Sequence, residues 1–338
     1  MILVTGGTGL VGSHLLFKLV SNGTSVRAIY RRSHKLESVK KVFGYYTTDV
    51  EALYNKIEWV EANINDIPTL EIAFKGITHV YHCAAFISFE PDKYYELRKV
   101  NIKGTANIVN LCISNKVEKL CYVSSLAAIG NEPLPETPIT EQTEWNPEQD
   151  NSVYAITKYG AEIEVWRGTQ EGVDAVIVNP GIILGPGFWK GSGSGSLFKK
   201  IHKGLKYYPQ GTSAYVDVWD VVDIMLRLME SSTKNERYIL TSENLPFKTF
   251  QEQIAKALNV KPAKKAASSF LLSIVWRLDW LSHKLFGKRR MLSKQMAKSI
   301  STKTVYDNSK IKSELNFEFT AIDQSISKVS KYYLESSG

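Results

Sequence analysis

The chain has 338 residues and only three cysteines. Cys83, Cys112 and Cys121 stand singly among apolar neighbours. That spacing provides neither a disulfide framework nor a thiolate metal site, and it predicts reduced, buried thiols in a cytoplasmic protein. Long apolar runs are missing too. No stretch of eighteen such residues exists, so no membrane-spanning helix is expected. An apolar strand-like run begins at residue 2, which leaves no room for a cleavable leader. Of the six histidines, His79 and His82 sit three apart on one strand-like run and face opposite sides, so no metal site is expected. Acid is scarce in one region. Residues 261–312 hold thirteen Lys or Arg against Asp279 and Asp307, a net charge of +11 where the whole chain carries +8. The basic character is therefore local. No groove-entering motif accompanies it, so nucleic acid is not an expected partner.

The most informative stretch that is present follows Met1 directly: Ile2-Leu3-Val4-Thr5-Gly6-Gly7-Thr8-Gly9-Leu10-Val11-Gly12. A short apolar strand, a glycine turn and an apolar helix pattern bring backbone N–H groups and a helix N-terminus toward a pyrophosphate. Further strand-like runs occur at Val26–Tyr30, Ile57–Glu61, His79–His82 and Lys119–Val123, with a sixth at Ala175–Val178. Helical patterns lie between them at 12–21, 49–55, 68–75, 97–115 and 153–170. Alternation of this kind predicts an α/β doubly wound parallel sheet, with its ligand crevice at the carboxyl ends of the strands. The chain length suits about two domains. The expected division is a dinucleotide-binding (Rossmann) domain of residues 1–178 and 214–242, and a smaller, mainly helical substrate domain of residues 179–213 and 243–338. Residues 187–196 read as a flexible Gly/Ser loop beside the crevice, either a plain surface loop or a cover for substrate.

Two further motifs carry chemistry. Tyr154-Ala155-Ile156-Thr157-Lys158 puts a phenol and an ammonium on one helix face. A nearby ammonium favours the phenolate, so the pair can exchange a proton with a substrate oxygen. Ser124 and Ser125 end the strand-like run Lys119–Val123 and so face the same crevice. Each motif alone also suits a mundane role, two exposed helix residues or a serine turn. Together, downstream of the glycine loop, they favour the chemical one.

Thr5-Gly6-x-x-Gly9-x-x-Gly12, Asn101-Ile102-Lys103-Gly104-Thr105, Ser125 and Tyr154-x-x-x-Lys158 resemble the extended short-chain dehydrogenase/reductase superfamily along essentially the whole chain. The resemblance implies Tyr154 as acid/base, Lys158 as its electrostatic partner, Ser125 as the substrate-orienting group shared with Ser124, and Asn101 as a support for the active-site helix. It also implies cofactor contacts at Gly6, Thr8, Gly9, Leu10, Val11, Gly12, Asn63, Ile64, Ala84, Tyr154, Lys158 and Pro180. Tyr30 stands where relatives that use NAD carry an acid, and Arg31 and Arg32 follow, a pattern that favours the 2′-phosphate of NADP over NAD. The segment Asn179-Pro180-Gly181 through Gly185-Pro186 is similar to the dihydroflavonol 4-reductase-like and 3β-hydroxysteroid dehydrogenase-like branch, whose members interconvert a carbonyl and an alcohol on apolar ring-containing molecules. Sugar-nucleotide epimerases and dehydratases tend to carry arginine where Asn179 stands. They are the alternative reading, and a non-catalytic dinucleotide sensor is a second. Relatives also dimerise through the helices matching 97–115 and 153–170, so a homodimer is expected.

The basic segment contains a dense apolar pattern from Phe270 to Phe286, followed by Lys288-Arg289-Arg290. It reads either as a core helix of the small domain or as a helix lying on a membrane surface through 270–290. Arg277 and Asp279 interrupt it, which weighs against spanning.

Overall fold

The computed structural model describes residues 1–131, 137–189, 193–287, 290 and 292–336. Its strands are β1 (Ile2–Thr5), β2 (Val26–Tyr30), β3 (Ile57–Glu61), β4 (His79–His82), β5 (Lys119–Val123), β6 (Asp174–Pro180), β7 (Ile182–Leu184), β8 (Tyr207–Pro209), β9 (Thr212–Asp217), β10 (Glu236–Leu240), β11 (Glu243–Pro246) and β12 (Lys265–Ala267). The helices are α1 (Leu10–Ser21), α2 (Leu36–Phe43), α3 (Val50–Tyr54), α4 (Ile67–Ala73), α5 (Tyr94–Leu97), α6 (Gly104–Ser114), α7 (Val153–Gln170), α8 (Gly195–His202), α9 (Val218–Glu230), α10 (Phe247–Ala257), α11 (Ser269–Phe286), α12 (Lys294–Ser299), α13 (Ser309–Leu315) and α14 (Ile322–Glu335).

Seven strands form one parallel sheet in the order β10-β6-β5-β4-β1-β2-β3. Successive residues of a strand serve opposite faces. Val4 packs with Leu15, Leu16, Val222 and Met225 on the α1 and α9 side. Its neighbour Leu3 packs with Leu70, Ile108 and Val165 on the α4, α6 and α7 side. Both faces are covered, which is why the central runs 2–4 and 175–178 are continuously apolar rather than alternating. Chain order reverses between β1 and β4, and the crevice at their carboxyl ends lies at that switch point.

The seventh strand, β10, adds to the six expected from sequence. It begins with the charged pair Glu236-Arg237, so its apolar part is only three residues long. The remaining strands form a three-stranded sheet, β11-β9-β7, and a β12-β8 pair. Leu184, Phe198, Tyr215, Phe250, Ile254, Ile322 and Ile326 make the core of this smaller region. β9 belongs to this small sheet, while α9, which follows it, packs on α1 of the main one.

Three local outcomes differ from the sequence pattern. The helix expected over 97–115 begins at Tyr94 and contains a wide π-turn at Arg98–Lys103, with Asn101 inside it. In the 187–196 stretch, Lys190, Gly191 and Ser192 lie outside the described residues. Trp189 is fixed, donating from Nε1 to the Tyr45 hydroxyl at 3.1 Å and packing on Phe198 and Tyr333, and Gly195 already starts α8. Finally, α11 is not a core helix, since Leu272 is its one buried residue. Lys288 and Arg289 after it lie outside the described residues.

Candidate active site

At β1 the chain leaves the sheet through Gly6, whose φ is +70°. A Cβ there would meet the Ala84 nitrogen and the Cys83 carbonyl carbon at 2.6 Å, so β1 and the strand-end after β4 approach as closely as backbone allows. A Cβ on Gly12 would strike the Gly6 carbonyl oxygen, so the turn stays tight only with glycine at both places. Gly9 N–H closes the turn on the Gly6 carbonyl at 2.9 Å. α1 then begins with no side-chain cap and no acid in its first turn, which leaves its N-terminal N–H groups and positive dipole end for an anion. The cradle that a side chain would fill and the uncapped helix start both fit a pyrophosphate.

A cleft of about 640 Å³ opens beside this turn. Gly6, Thr8, Gly9, Arg31, Arg32, Asn63, Ile64 and Ala84 line it together. Leu10, Val11 and Gly12 follow in the first turn of α1, outside that lining. Tyr30, read from sequence as standing at the acidic position, lines the cleft too, and Lys35, Phe86, Glu96 and Lys99 also line it without having been singled out from sequence. For Lys35 a signal existed: it extends the basic run that Arg31 and Arg32 begin. All three cations are exposed, and none has a side-chain partner among the described residues.

Across the sheet edge, α7 presents Tyr154 and Lys158 toward β5. Ser152 caps α7 by accepting from the Ala155 N–H at 3.1 Å, which fixes the turn that carries Tyr154. The Tyr154 phenol is buried, packs edge-on against Phe89 and lies beside the Ser125 hydroxyl. Burial pushes its pKa up to about 12, and the Ser125 hydroxyl works the other way. The Lys158 ammonium donates to the Tyr122 hydroxyl at 2.6 Å and to the Val123 carbonyl at 3.0 Å, and it lies over the Tyr122 ring. Burial lowers its pKa to about 7, opposed by the charge of Glu162 one turn further along α7. The expected lowering of the Tyr154 pKa by Lys158 is thus absent in this arrangement, because the ammonium is engaged with β5 and burial dominates the phenol.

Asn101 holds the adjoining wall. Its amide accepts from Phe86 N–H at 2.8 Å, donates to the Phe86 carbonyl at 3.0 Å and donates to Thr157 Oγ1 at 3.2 Å. The π-turn turns Asn101 inward while the helix continues on both sides of it. Ser125 caps the short turn Leu126–Ala128 and accepts from Ala127 N–H. Ser124 Oγ is buried with no hydrogen-bond partner among the described residues. Pro180 ends β6 next to Asn179, whose Nδ2 donates to the Ser125 carbonyl at 3.0 Å and to Glu162 Oε1 at 2.5 Å. Glu162 in turn meets Arg237 of β10 at 3.4 Å.

Two groups of this site escaped the sequence reading. One is the Glu162–Arg237 pair, whose members lie 75 residues apart. The other is His82, weighed there only as a metal ligand. Burial drops its pKa to about 3, so it is neutral at physiological pH. Its Nδ1 bonds Thr5 Oγ1 at 2.6 Å, its Nε2 bonds Thr105 Oγ1 at 3.0 Å, and its ring stacks on Tyr122. The contacts Thr5–His82–Tyr122–Lys158 join the glycine-loop strand to the tyrosine helix through the interior.

The glycine turn lines the cleft, while Tyr154, Lys158, Ser124 and Ser125 lie outside that lining, behind the wall that Asn101 fixes at Phe86. The NAD-dependent epimerase/dehydratase family matches residues 2–240. The chain belongs to that family. It is an NAD(P)-dependent oxidoreductase of the extended short-chain dehydrogenase/reductase superfamily. It is 30 % identical over 244 residues to "Sterol demethylase protein B" of Methylococcus capsulatus, covering 72 % of this chain and 70 % of that protein. It is 27 % identical over 332 residues to a "Putative dihydroflavonol 4-reductase" of Synechocystis, covering 96 % and 91 %. The fold is shared with the UDP-glucose 4-epimerase of Thermotoga maritima, at a TM-score of 0.79, 21 % identity and coverage of 100 % and 99 %.

Proposed function

We propose that this family member is an NADP(H)-dependent reductase that interconverts a carbonyl and an alcohol on an apolar small molecule. The observation that carries the reading is the Ser125–Tyr154 contact, with Lys158 one turn along the same helix. The Tyr154 phenol, pushed up by burial, carries its proton at neutral pH and can pass it to a substrate oxygen. Ser125 orients that oxygen beside the phenol. Lys158 supplies positive charge behind it, and Tyr122 and the Val123 carbonyl hold the ammonium within the interior. A bound nicotinamide supplies the hydride. The glycine turn and the start of α1 hold its pyrophosphate, and Asn101 fixes the wall at Phe86.

Arg31, Arg32 and Lys35 favour NADP over NAD. Three cations with no side-chain partner among the described residues share one rim of the cleft and suit a phosphate, and Tyr30 puts no carboxylate beside them. The reductase name of the Synechocystis relative supports the reductase reading. Asn179 supports it as well, because its amide is committed inward to Ser125 and Glu162 rather than offering a cation to a nucleotide diphosphate.

A fluorescence titration of NADPH against NADH, followed by a panel of aryl and alicyclic ketones and aldehydes read at the nicotinamide absorbance, tests the proposal. Tighter NADPH binding and turnover of an apolar carbonyl are expected. Equal affinity for the two dinucleotides would refute the cofactor preference. Turnover of sugar nucleotides with no net nicotinamide oxidation would replace the reductase reading with the epimerase one.

A further inference from the structure

α11 carries its apolar residues on the wrong side for a soluble helix. Its inner face, Leu272 and Trp276, packs with Ala267, Ala297, Leu292 and Ile300 of the strand before it and the segment around α12. Phe270, Ile274, Leu278, Leu281 and Leu285 are each 40–76 % exposed. At 3.6 residues per turn these five share about a quarter of the helix circumference, opposite Leu272 and Trp276. They form one unbroken apolar row along the outside of the molecule.

The charges of the helix are sorted around that row. Arg277 and Lys284 border one edge, and each lies over the ring of a neighbouring tryptophan, Trp276 or Trp280. Asp279, the helix's one acid, faces inward, where it meets Arg290 at 3.7 Å and accepts from the Leu292 N–H. The sequence pattern placed Arg277 and Asp279 as interruptions of the apolar face. In three dimensions one is its rim and the other is behind it. Burial does not explain why the helix forms. Its ends do: Ser268 accepts from the Leu271 N–H, and Gly287, with φ +63°, returns its N–H to the His283 carbonyl.

We infer that α11 docks the protein on an anionic lipid bilayer, lying flat with Phe270, Ile274, Leu278, Leu281 and Leu285 in the acyl boundary. Charge complementarity selects this occupant. The surrounding segment, 261–312, carries thirteen bases against two acids, and Arg277 and Lys284 border one edge of the row at headgroup height. Among the described residues no helix is long and apolar enough to cross a membrane, so the attachment is interfacial. A second copy of this chain would bring one +11 segment against another, which disfavours it as the occupant.

Co-sedimentation of the full chain with equimolar phosphatidylglycerol/phosphatidylcholine vesicles, and with phosphatidylcholine vesicles alone, tests the inference. Binding to the anionic vesicles at low salt is expected, with much less to the neutral ones. Leu278→Glu and Leu285→Glu are exposed changes that leave the fold intact, and each lowers the partition coefficient at least about tenfold. Arg277→Gln with Lys284→Gln leaves the apolar row in place and weakens the preference for anionic lipid. Absence of anionic-vesicle binding at low salt, or binding unchanged in the Leu278 and Leu285 variants, overturns it. So does a light-scattering mass that falls from dimer to monomer in Leu278→Glu, since a second copy would then cover the row. Vesicle binding is read without substrate, so its failure leaves the reductase proposal untouched.

Discussion

α7 and α11 are both eighteen residues long, and each starts at a serine that accepts the N–H three residues on. They differ in what they bury. α7 takes Lys158 and Glu162 into the interior beside Tyr154, whereas α11 leaves Phe270, Leu278 and Leu285 in the open. Burying a charge and exposing an apolar row both work against stability. Sequences depart from the usual pattern of apolar inside and charged outside chiefly where another demand overrides it. In α7 that demand is chemistry inside the fold. In α11 it is contact with something outside it. The two helices also sit differently in the fold: α7 forms part of a core shared with β5 and α6, while α11 belongs to a six-residue satellite cluster.

The sharpest way to break the α7 half of this contrast is Tyr154→Phe. If the buried polar group exists for proton transfer, kcat falls by about three orders of magnitude, the upper part of the range for a lost general acid. NADPH affinity stays within about threefold, because the hydroxyl matters most in the transition state. Steady-state kinetics and a fluorescence titration check both. Retained turnover would make the interior of α7 structural only.

Lys158→Met separates the chemical role from its energetic cost. Turnover falls about a hundredfold or more as the charge behind Tyr154 is lost. Stability moves the other way, with a definite pH signature. The folded-state pKa of Lys158 is lowered to about 7 from an ordinary value of 10.5. Between those values the unfolded chain binds the extra proton, so the wild type gains stability as pH rises through this window. Below about 7 the ammonium is charged in both states, and the full cost of burying it stands. Lys158→Met removes that cost. Its melting temperature should exceed the wild type's most near pH 6, and the gap should close toward pH 10. A pH-independent gap would mean that Lys158 is not buried as a cost-bearing base.

Arg31→Ala and Arg32→Ala sharpen the comparison at the cleft rim. Each should weaken NADPH binding about tenfold, the loss of one charge-assisted contact of about 1.4 kcal/mol, and should leave NADH affinity nearly unchanged. Parallel isothermal titrations of both dinucleotides provide the check. Equal losses for the two would place the arginines elsewhere than at a 2′-phosphate.

Which parts of this were legible beforehand follows from what sequence encodes locally. β1, the glycine turn and α1 were readable, because strand, turn and helix starts are written in consecutive residues. The Tyr154–Lys158 spacing was readable for the same reason. β10 was not, since only Tyr238, Ile239 and Leu240 are apolar and they follow a charged pair. The Lys158–Tyr122 bond and the Glu162–Arg237 pair were not readable either. Their members lie 36 and 75 residues apart, and only the strand order brings them together. For α11 the periodicity showed an apolar face but could not say whether a core covers it. That depends on what else packs nearby, which is a tertiary property.

The serine caps yield the smallest effect and the most direct test of the two-helix contrast. Ser152→Ala and Ser268→Ala each remove one hydrogen bond, to Ala155 and Leu271 respectively, worth about 1 kcal/mol. In α7 the loss falls on a helix whose Ala161 and Val165 are part of the main core, so it appears in global unfolding as a lower melting temperature. In α11 the same loss falls on a helix that buries Leu272 alone, so it opens locally. Amide exchange along 269–286 should quicken about fivefold in Ser268→Ala, the equivalent of 1 kcal/mol, while the global melt barely moves. Adding anionic vesicles should restore the protection, because the lipid then supplies the burial that the protein does not. Equal falls in melting temperature for the two variants would show that α11 unfolds with the core, and the distinction between a helix built for the interior and one built for a surface would fail.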